Sequence, residues 1–479
     1  MLSLLVISPL IILPILSVIS VNQNLLIKQV SLFWSLIIFN FTMALLIPFD
    51  TKLLSFQLVS QSYWITFFNF NMTLGIDGLS LLLIQLTGFL TPICILLCWN
   101  FTVDRNIKVY LVSFFALEAI LFGVFTTLDL LLFYILFEAV LIPMFIIVGL
   151  FGSKQRRSRA AYLLFLYTLS SSVFMLIAIL YLYFSFSSLD FISLRLVNLD
   201  PIVERLCWLA FSLSFAVKMP LIPFHIWLPE AHTEAPTAGS VILAGILLKL
   251  GGYGFIRFSI GIFYEASAFF SPLVFTISSF GVVYASLTTL QQIDLKKIIA
   301  YSSVGHMALV TIGLFSLNLT GFVGAIVLMI SHGIVSGGLF LLIGMLYDRY
   351  HTRILRYYSG IFHVMPLFSV CFIILTLGNL GLPATSSFPG EFLVIACCLV
   401  TNYWATLFAA TGMLLGAGYS LWLCNRILFG NVKLASIQLF QDLTRLEVAI
   451  MFPFISLTFI LGLFPDLLVS VFISSVYFY

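Results

Sequence analysis

The residues best suited to chemistry lie in one apolar stretch, residues 216–254. It holds Lys218, His225, His232 and Lys249 among side chains apolar enough to lie in a lipid bilayer. A charge at bilayer depth is costly, by about 2.5–3.5 kcal/mol on insertion scales, so an ionisable side chain there predicts a function. The alternative is a lysine whose amine reaches the membrane surface. Amines and imidazoles exchange protons, so the stretch predicts proton transfer.

Prolines interrupt this stretch directly after its first lysine. Pro220 and Pro223 each remove a backbone donor and disfavour a continuous helix, so we expect a helix to end just after Lys218. Broken helices at membrane depth line ion sites in transporters. If the chain resumes as a helix, His225 and His232 share one stripe of its surface.

A buried carboxylate supplies a partner for Lys218. Glu138 lies in LLFYILFEAVLIPMF, with eight apolar residues before it. A cation within about 4 Å stabilises the ionised carboxylate by about 4 kcal/mol at an effective dielectric constant near 20. Apolar residues often stabilise a fold as well as a buried ion pair does. We therefore predict a Glu138–Lys218 pair that takes part in proton transfer, against a static pair that only packs two helices.

Two histidines and a glutamate extend the candidate path beyond Lys249. His306 and His332 lie in neighbouring apolar segments, and Glu391 follows a proline–glycine pair in SSFPGEF. Histidine titrates nearest neutral pH and suits a proton relay. Hydrogen-bonded core histidines and axial haem ligands are the alternatives for the two histidines. Lys249 has no acid in its own segment, which predicts an amine that releases and regains its proton.

Other ionisable residues carry weaker predictions. Glu118, one helix before Glu138, is assigned either to proton supply or to packing. Asp294, followed by Lys296 and Lys297, indicates an ordinary helix start. The two acids that lie near the ends of predicted spans are Asp77 and Asp129.

Composition places the chain in a membrane. Charged residues make up 8% and hydrophobic residues 62% of its 479 residues, and the mean hydropathy is +1.18. Soluble proteins carry about 25% charged residues. The basic residues lie in short connections, so no nucleic-acid partner is predicted. None of the seven cysteines forms a CxxC pair, so we expect neither disulfides nor a metal site.

The sequence predicts an all-α polytopic membrane protein of a single domain, residues 1–479. About 20 apolar residues are needed for each span, which gives fourteen spans, the seventh and twelfth broken by prolines. Residues 51–73 predict an interfacial loop or short helix. Residues of about 109–258 and 271–428 predict two inverted five-helix repeats, because each set places its broken helix fourth. The predicted spans are residues 2–21, 30–49, 76–99, 109–127, 130–150, 161–184, 203–228, 237–258, 271–290, 297–317, 322–347, 365–400, 403–428 and 448–474.

The distribution of basic residues predicts the orientation. Of the 21 Lys and Arg residues, fifteen lie in connections after odd-numbered spans and four on the other side. Connections rich in lysine and arginine stay in the cytoplasm or matrix. Both termini are therefore predicted on the opposite face.

Several motifs resemble the antiporter-like membrane subunits of respiratory complex I, the proton-pumping NADH:ubiquinone oxidoreductase. The resemblance spans essentially the whole chain and rests on FEAVLIPMF, KMPLIPFHIWLPEAHTEAPTAGSVILAGILLKLGGYG, QQIDLKKIIAYSSVGHM, SHGIVSGGLF and LPATSSFPGEF. It implies a proton path that also includes His225 and His232. The roles it implies are Glu138 and Lys218 as the pair of one half-channel, Lys249 as the central relay, His306 and His332 as the onward path and Glu391 as the exit-side group.

Details of the motifs narrow the resemblance to one branch of that family. Glu391 stands where sister antiporter-like subunits carry lysine, and the chain has no long C-terminal amphipathic extension of the subunit 5 type. The chain departs from the family pattern at Glu230, where many members have Asp, and at Ala384, where Gly is usual. Pro389 stands where many members have an aliphatic residue, a departure that bears on the helix geometry near Glu391.

The resemblance also implies the setting of the chain. NADH, FMN, iron–sulfur clusters and ubiquinone are expected in partner subunits, with no cofactor in this chain. The expected partners are other complex I membrane subunits, including the neighbouring antiporter-like subunits 2 and 5, together with membrane lipids. The expected location is the mitochondrial inner membrane, with the basic loops in the matrix, and a bacterial plasma membrane is the second choice. An Mrp-type cation/proton antiporter subunit and a haem- or quinone-binding electron carrier are the alternative functions.

Overall fold

The computed structural model describes residues 1–20, 23–65, 70–100, 106–153, 156–432 and 440–476. Among these residues, eleven helices are long and apolar enough to cross a membrane. Three basic residues counted for the orientation, Arg105, Lys154 and Lys433, lie outside the described ranges.

The N-terminal part contains two peripheral helices, a β-hairpin and a buried helix. Asp77 caps the buried helix, because its Oδ1 accepts from Ser80 N at 3.0 Å while Ser80 Oγ accepts from the Asp77 backbone N at 2.9 Å. These elements are α1 (Leu2–Val18), α2 (Asn24–Ala44), β1 (Gln57–Ile65), β2 (Phe70–Ile76) and α3 (Gly78–Leu97).

The β-hairpin replaces the loop or short helix predicted for residues 51–73. Its strands pair antiparallel, from Gln57 opposite Ile76 to Ile65 opposite Phe70. The segment is not a span, as expected, but the prediction of a loop or helix is wrong. Residues 70–76 alternate apolar and polar side chains, and this period of two is typical of a strand.

The first proline-broken helix lies in the middle third of the chain. Its first half ends at Lys218, as predicted, and the second half begins at Trp227. His225 therefore precedes the helix that carries His232, and the two do not share a helical stripe. The elements are α4 (Ile107–Thr126), α5 (Leu130–Ala139), α6 (Leu141–Phe151), α7 (Arg157–Phe186), α8 (Phe191–Arg195), α9 (Pro201–Lys218), α10 (Trp227–Glu234), α11 (Thr237–Ile242) and α12 (Leu248–Gly254).

The second broken helix lies in the C-terminal third. It is interrupted between Leu380 and Ser387, and Pro389 falls in the first turn of its second half, where backbone N–H groups have no helical partner. The elements are α13 (Tyr264–Gln291), α14 (Leu295–Phe315), α15 (Leu319–Tyr350), α16 (Ile361–Val364), α17 (Pro366–Leu380), α18 (Ser387–Thr401), α19 (Tyr403–Leu428), α20 (Arg445–Leu463) and α21 (Asp466–Val476).

The last predicted span, residues 448–474, is two helices in the structure. α20 ends at Leu463 and α21 begins at Asp466, because Pro465 between them cannot continue a helix. α21 packs against the start of α3, where a Cβ on Gly78 would overlap the backbone of Phe472.

Two elements form the centre of the bundle. The segment Thr237–Ile260, which joins α11 and α12 through π-helical turns, is completely buried, and so is α15 from Gly321 to Leu346. In α2, α7, α19 and α20 most residues are only partly buried or exposed, as expected for helices that face lipid. The central pair carries Lys249 and His332, so both residues lie as far from lipid as this chain allows.

Candidate functional site

Lys249 lies in the most protected part of the bundle. Its side chain is fully buried, and its Nζ donates to the carbonyl oxygen of Ala244 at 2.6 Å. Ala244 belongs to the π-helical turn Leu243–Leu247, and such turns are frequent at functional sites. The burial excludes a lysine that reaches the membrane surface with its amine.

A close helix crossing brings Lys249 to His332. A Cβ on Gly333 would lie 3.0 Å from the carbonyl oxygen of Gly245, so the backbones approach without side chains between them. At this crossing Lys249 Nζ lies 2.9 Å from His332 Nδ1. Ser336 Oγ is 3.4 Å from the same nitrogen. The two residues predicted as relay and onward path are therefore direct neighbours.

His306 is a neighbour of both His332 and Glu391. The two imidazole rings lie 5.6 Å apart, centroid to centroid. His306 Nδ1 is 3.4 Å from Glu391 Oε1, and His306 Nε2 donates to Asn379 Oδ1 at 3.1 Å. All these side chains are buried. Four predicted residues thus lie in one line through the middle of the bundle. We call Lys249, His332, His306 and Glu391 the row.

The break between α17 and α18 positions Glu391. Gly381 ends α17 with a positive φ of 74°, and a Cβ there would overlap the Glu391 carboxylate. Ala384 also has a positive φ, 73°, which explains why glycine is usual at that position in the family it resembles. Pro389 is accommodated in the first turn of α18, so the helix that carries Glu391 continues to Thr401.

Lys218 and Glu138 are arranged differently from the direct pair expected. Lys218 is buried, and its Nζ donates to the Phe137 carbonyl oxygen at 3.2 Å and lies 4.2 Å from the centroid of the Phe137 ring. Glu138 is half-buried, next to Ser172. Its charge interacts with that of Lys218, but no ion pair within 4 Å joins the two among the described residues.

The remaining predicted residues lie beside the row. His232 is fully buried and stacks on Phe340, with ring centroids 4.5 Å apart. His225 is buried against Tyr284 and Tyr301. Glu118 accepts a hydrogen bond from Thr91 Oγ1 at 2.7 Å. No contact in the described part of the chain places Glu118 in the row.

The acids near span ends hold helix termini. Asp129 Oδ1 accepts from Leu131 N at 2.9 Å and from Leu132 N at 3.0 Å, which caps α5. Burial raises the pKa of Asp129 to about 6, although these two hydrogen bonds oppose the shift. Asp77 pairs with Arg257, whose Nη2 lies 2.9 Å from Asp77 Oδ1. This buried ion pair was not predicted from the sequence.

Some polar residues near the row were not predicted. A cavity of about 30 Å³, room for a single water molecule, is lined by Ser302, Asn379 and Tyr419 beside His306 and Glu391. Asn379, Ser302 and Tyr419 are uncharged, and uncharged polar residues in apolar helices are too common to indicate a site from sequence.

The haem alternative does not fit this geometry. Axial ligands face each other across the iron, whereas the nitrogens of His306 face Asn379 and Glu391. His332 Nδ1 faces Lys249. The two rings therefore do not flank a space for a porphyrin.

Comparisons with known proteins identify the family of this chain. Residues 127–416 match the family model described as NADH:quinone oxidoreductase/Mrp antiporter, transmembrane. The chain is 54% identical over 459 residues to NADH-ubiquinone oxidoreductase chain 4 of Chondrus crispus, a match that covers 96% of this chain and 93% of that one.

Solved structures share the fold. A chain of respiratory complex I from Thermus thermophilus, 27% identical, superposes with a TM-score of 0.89 over 100% of this chain and 99% of that one. A chain of the Mrp complex from Dietzia sp. superposes with a TM-score of 0.86 at 17% identity, over 99% of this chain and 51% of that one. The chain belongs to the NADH:quinone oxidoreductase/Mrp antiporter family of transmembrane subunits.

Proposed function

We propose that this chain is the chain 4 type subunit of a proton-pumping NADH:ubiquinone oxidoreductase and moves protons through its row of buried ionisable residues. The observation that carries the proposal is the continuous row Lys249, His332, His306 and Glu391. Its contacts are 2.9 Å between Lys249 and His332, 5.6 Å between the two imidazole rings and 3.4 Å between His306 and Glu391.

Each member of the row holds a proton at a defined atom. A charged Lys249 donates to His332 Nδ1, and transfer along this bond leaves a neutral amine and a charged imidazole. His332 then releases a proton towards His306, whose ring centroid lies 5.6 Å away, and His306 accepts it at Nδ1, because Nε2 carries the hydrogen donated to Asn379. A charged His306 presents its Nδ1–H to Glu391 Oε1. Glu391 near the N-terminus of α18 receives the proton and passes it onward.

Lys218 supplies the switch in the other half of the path. Its amine donates to the Phe137 carbonyl oxygen and interacts with the charge of the Glu138 carboxylate. A shift of the amine towards Glu138 stabilises the ionised carboxylate, and a shift away favours its protonation. Met219, next to Lys218, packs against Gly251 in the helix of Lys249. A movement of Lys218 would therefore displace Met219 against Gly251, which is two residues from Lys249 in the same helix.

The family supports a setting for this path. Relatives such as that of Chondrus crispus are chains of NADH-ubiquinone oxidoreductase, so partner subunits of the same complex surround this one. We assign it to the mitochondrial inner membrane, with the basic loops in the matrix and both termini opposite. We further propose that the antiporter-like subunits 2 and 5 are its neighbours and that two inverted repeats, residues 109–258 and 271–428, build the two halves.

The chemistry of electron transfer belongs to partner subunits in this proposal. NADH, FMN, iron–sulfur clusters and ubiquinone would bind there, and their redox reaction would drive the row. An Mrp-type cation/proton antiporter shares the fold and is the second candidate. The identity of 54% to an oxidoreductase chain over nearly the whole length favours the first.

The test uses the intact complex purified from its native membrane. Reduction of ubiquinone by NADH in the preparation that contains this chain, together with proton uptake into vesicles driven by that reaction, is expected. Sodium-driven proton exchange without NADH oxidation would support the Mrp alternative instead.

A further inference from the structure

A cavity on one face of the molecule reaches a buried lysine. We call the end of the bundle that holds Ser153, Arg156, Lys297 and Arg353 the basic face. A cavity of about 570 Å³ on this face has Lys296 in its lining, together with Ser153, Asp348, Arg349, His351 and Glu447. Charged and polar side chains therefore surround a volume large enough for many water molecules.

Lys296 is an unusual lysine for the first turn of a helix. It is 1% exposed, although Lys297 beside it is half-buried in a surface pair with Glu230 at 2.9 Å. Lys296 Nζ donates to the Ala235 carbonyl oxygen at 2.9 Å and to Ser240 Oγ at 3.3 Å. Its charge is opposed by Arg353 and favoured by Asp294, Asp348 and Glu234. Among the described residues, no ion pair within 4 Å joins this buried amine to an acid.

Hydrogen bonds and charge interactions connect Lys296 to His232 and to Lys249, the first member of the row. Ser240, which accepts from Lys296, has its own hydroxyl 3.2 Å from the His232 carbonyl oxygen. The His232 imidazole is close enough to the amines of both Lys296 and Lys249 to interact with their charges. Both of its ring nitrogens lack a hydrogen-bond partner in the described residues. The His232 imidazole, which has no hydrogen-bond partner among the described residues, thus interacts electrostatically with the amines of Lys296 and Lys249.

We propose that Lys296 is the proton carrier at the entrance from the basic face, passing protons from the cavity through His232 to Lys249. This assignment rests on the proposed function and adds to it a residue that the sequence indicated only as part of a helix start. The proton moves from the cavity to Lys296 Nζ, from Nζ to a ring nitrogen of His232, and from the other ring nitrogen to Lys249 Nζ. No bond other than N–H is made or broken.

A structural lysine is the competing explanation. The bond to Ala235 would then only hold the turn between α10 and α11. Arginine keeps the charge and the donors but does not release its proton, so it separates the two roles. A structural role predicts an active Lys296→Arg complex, and a carrier predicts an inactive one.

The first experiment measures NADH-driven proton pumping in the assembled complex. Lys296→Met and Lys296→Arg are each expected to lower pumping by about tenfold or more, as for other lost proton-transfer groups, with normal incorporation of the subunit. Lys297→Met is the matched control, because it removes the same charge one residue later, and it is expected to pump normally. Full pumping in Lys296→Arg would overturn the proposal.

The second experiment does not depend on how well the first variants assemble. Lys296→Cys is treated from the basic face with aminoethyl methanethiosulfonate, which attaches an amine to the thiol through a disulfide. Labelling is expected, because the cavity reaches residue 296, and it is expected to restore pumping. Lack of labelling, or labelling without any gain in pumping, contradicts the assignment.

Variants of Lys249 distinguish a failure of the proposed function from a failure of the proposed entrance through Lys296. If Lys249→Ala pumps normally, the proposed function of the row fails. If Lys249→Ala loses pumping while Lys296→Met keeps it, the row stands and the entrance through Lys296 is wrong.

Discussion

Lys249 Nζ lies 2.9 Å from His332 Nδ1, at the helix crossing where a Cβ on Gly333 would lie 3.0 Å from the carbonyl oxygen of Gly245. A hydrogen bond between these two nitrogens needs a free lone pair on at least one of them. If both groups were charged, both nitrogens would be donors and the charges would repel. The contact therefore excludes a doubly charged pair and fits one that holds at most one excess proton at a time, which is the property a relay needs.

The first prediction follows from this contact. Lys249→Ala removes the proton-carrying amine and is expected to lower proton pumping by about 100-fold, the usual range for a lost acid–base group. Lys249→Arg is expected to be equally inactive, because arginine stays protonated. The measurement is dye-detected pumping per assembled complex.

A packing role for Lys249 predicts the opposite order. Arginine would then be tolerated, and alanine would reduce the amount of subunit in the complex. Full activity of Lys249→Arg would therefore defeat the relay.

Much of the site was predictable because buried charges are rare in membrane helices. Lys249, His306, His332 and Glu391 each stand alone in apolar sequence, so their types alone mark a path. The sequence could not give the distance between Lys218 and Glu138, since that depends on how α5 bends at Val140. Lys296 was missed because a lysine after a capping aspartate is normal at an exposed helix start.

The fold was predictable where length and hydropathy decide it. The break after Lys218 follows from prolines, and the long buried segments follow from apolar runs. The β-hairpin was not predicted, because polar residues in a membrane chain indicate a connection without specifying its conformation. The division of the last predicted span into two helices at Pro465 was not predicted either, because one proline inside an apolar run can bend a span or end it.

The second prediction concerns the switch. Glu138→Gln keeps the shape but removes the charge that Lys218 feels. We expect pumping to fall by about tenfold or more while assembly is retained, because glutamine has nearly the same size and shape as glutamate. Glu138→Asp, which shortens the reach but keeps the charge, should be milder. Normal pumping by an assembled Glu138→Gln complex would show that the carboxylate has no part in the switch.

The third prediction uses glycine as a spacer. Gly381→Ala places a Cβ against the Glu391 carboxylate at a positive φ of 74°. The backbone alone should cost about 1–2 kcal/mol, and pumping should fall because Glu391 moves away from His306. Thermal stability and pumping of the complex are measured together.

Gly418→Ala is the matched control for that variant. Nothing lies within 4 Å of a Cβ at 418, and alanine is favoured over glycine in a helix by about 1 kcal/mol. This variant should pump normally and be at least as stable. Equal losses in both variants would mean that the effect is not specific to the contact with Glu391.

The last prediction separates a structural ion pair from the row. Arg257 is fully buried, with Nη2 2.9 Å from Asp77 Oδ1 and Nε 3.1 Å from the Tyr253 hydroxyl. Removing one partner of a buried pair costs about 3–5 kcal/mol, because the other charge stays buried without it. Arg257→Met should therefore destabilise the complex by several kcal/mol. Asp77→Asn in the same chain should recover much of this loss, since asparagine keeps the cap of α3 and carries no charge. Pumping per assembled complex should be unchanged in the double variant, because neither residue contacts the row. A fall in pumping per assembled complex, measured beside normal thermal stability, would place this pair in the proton path.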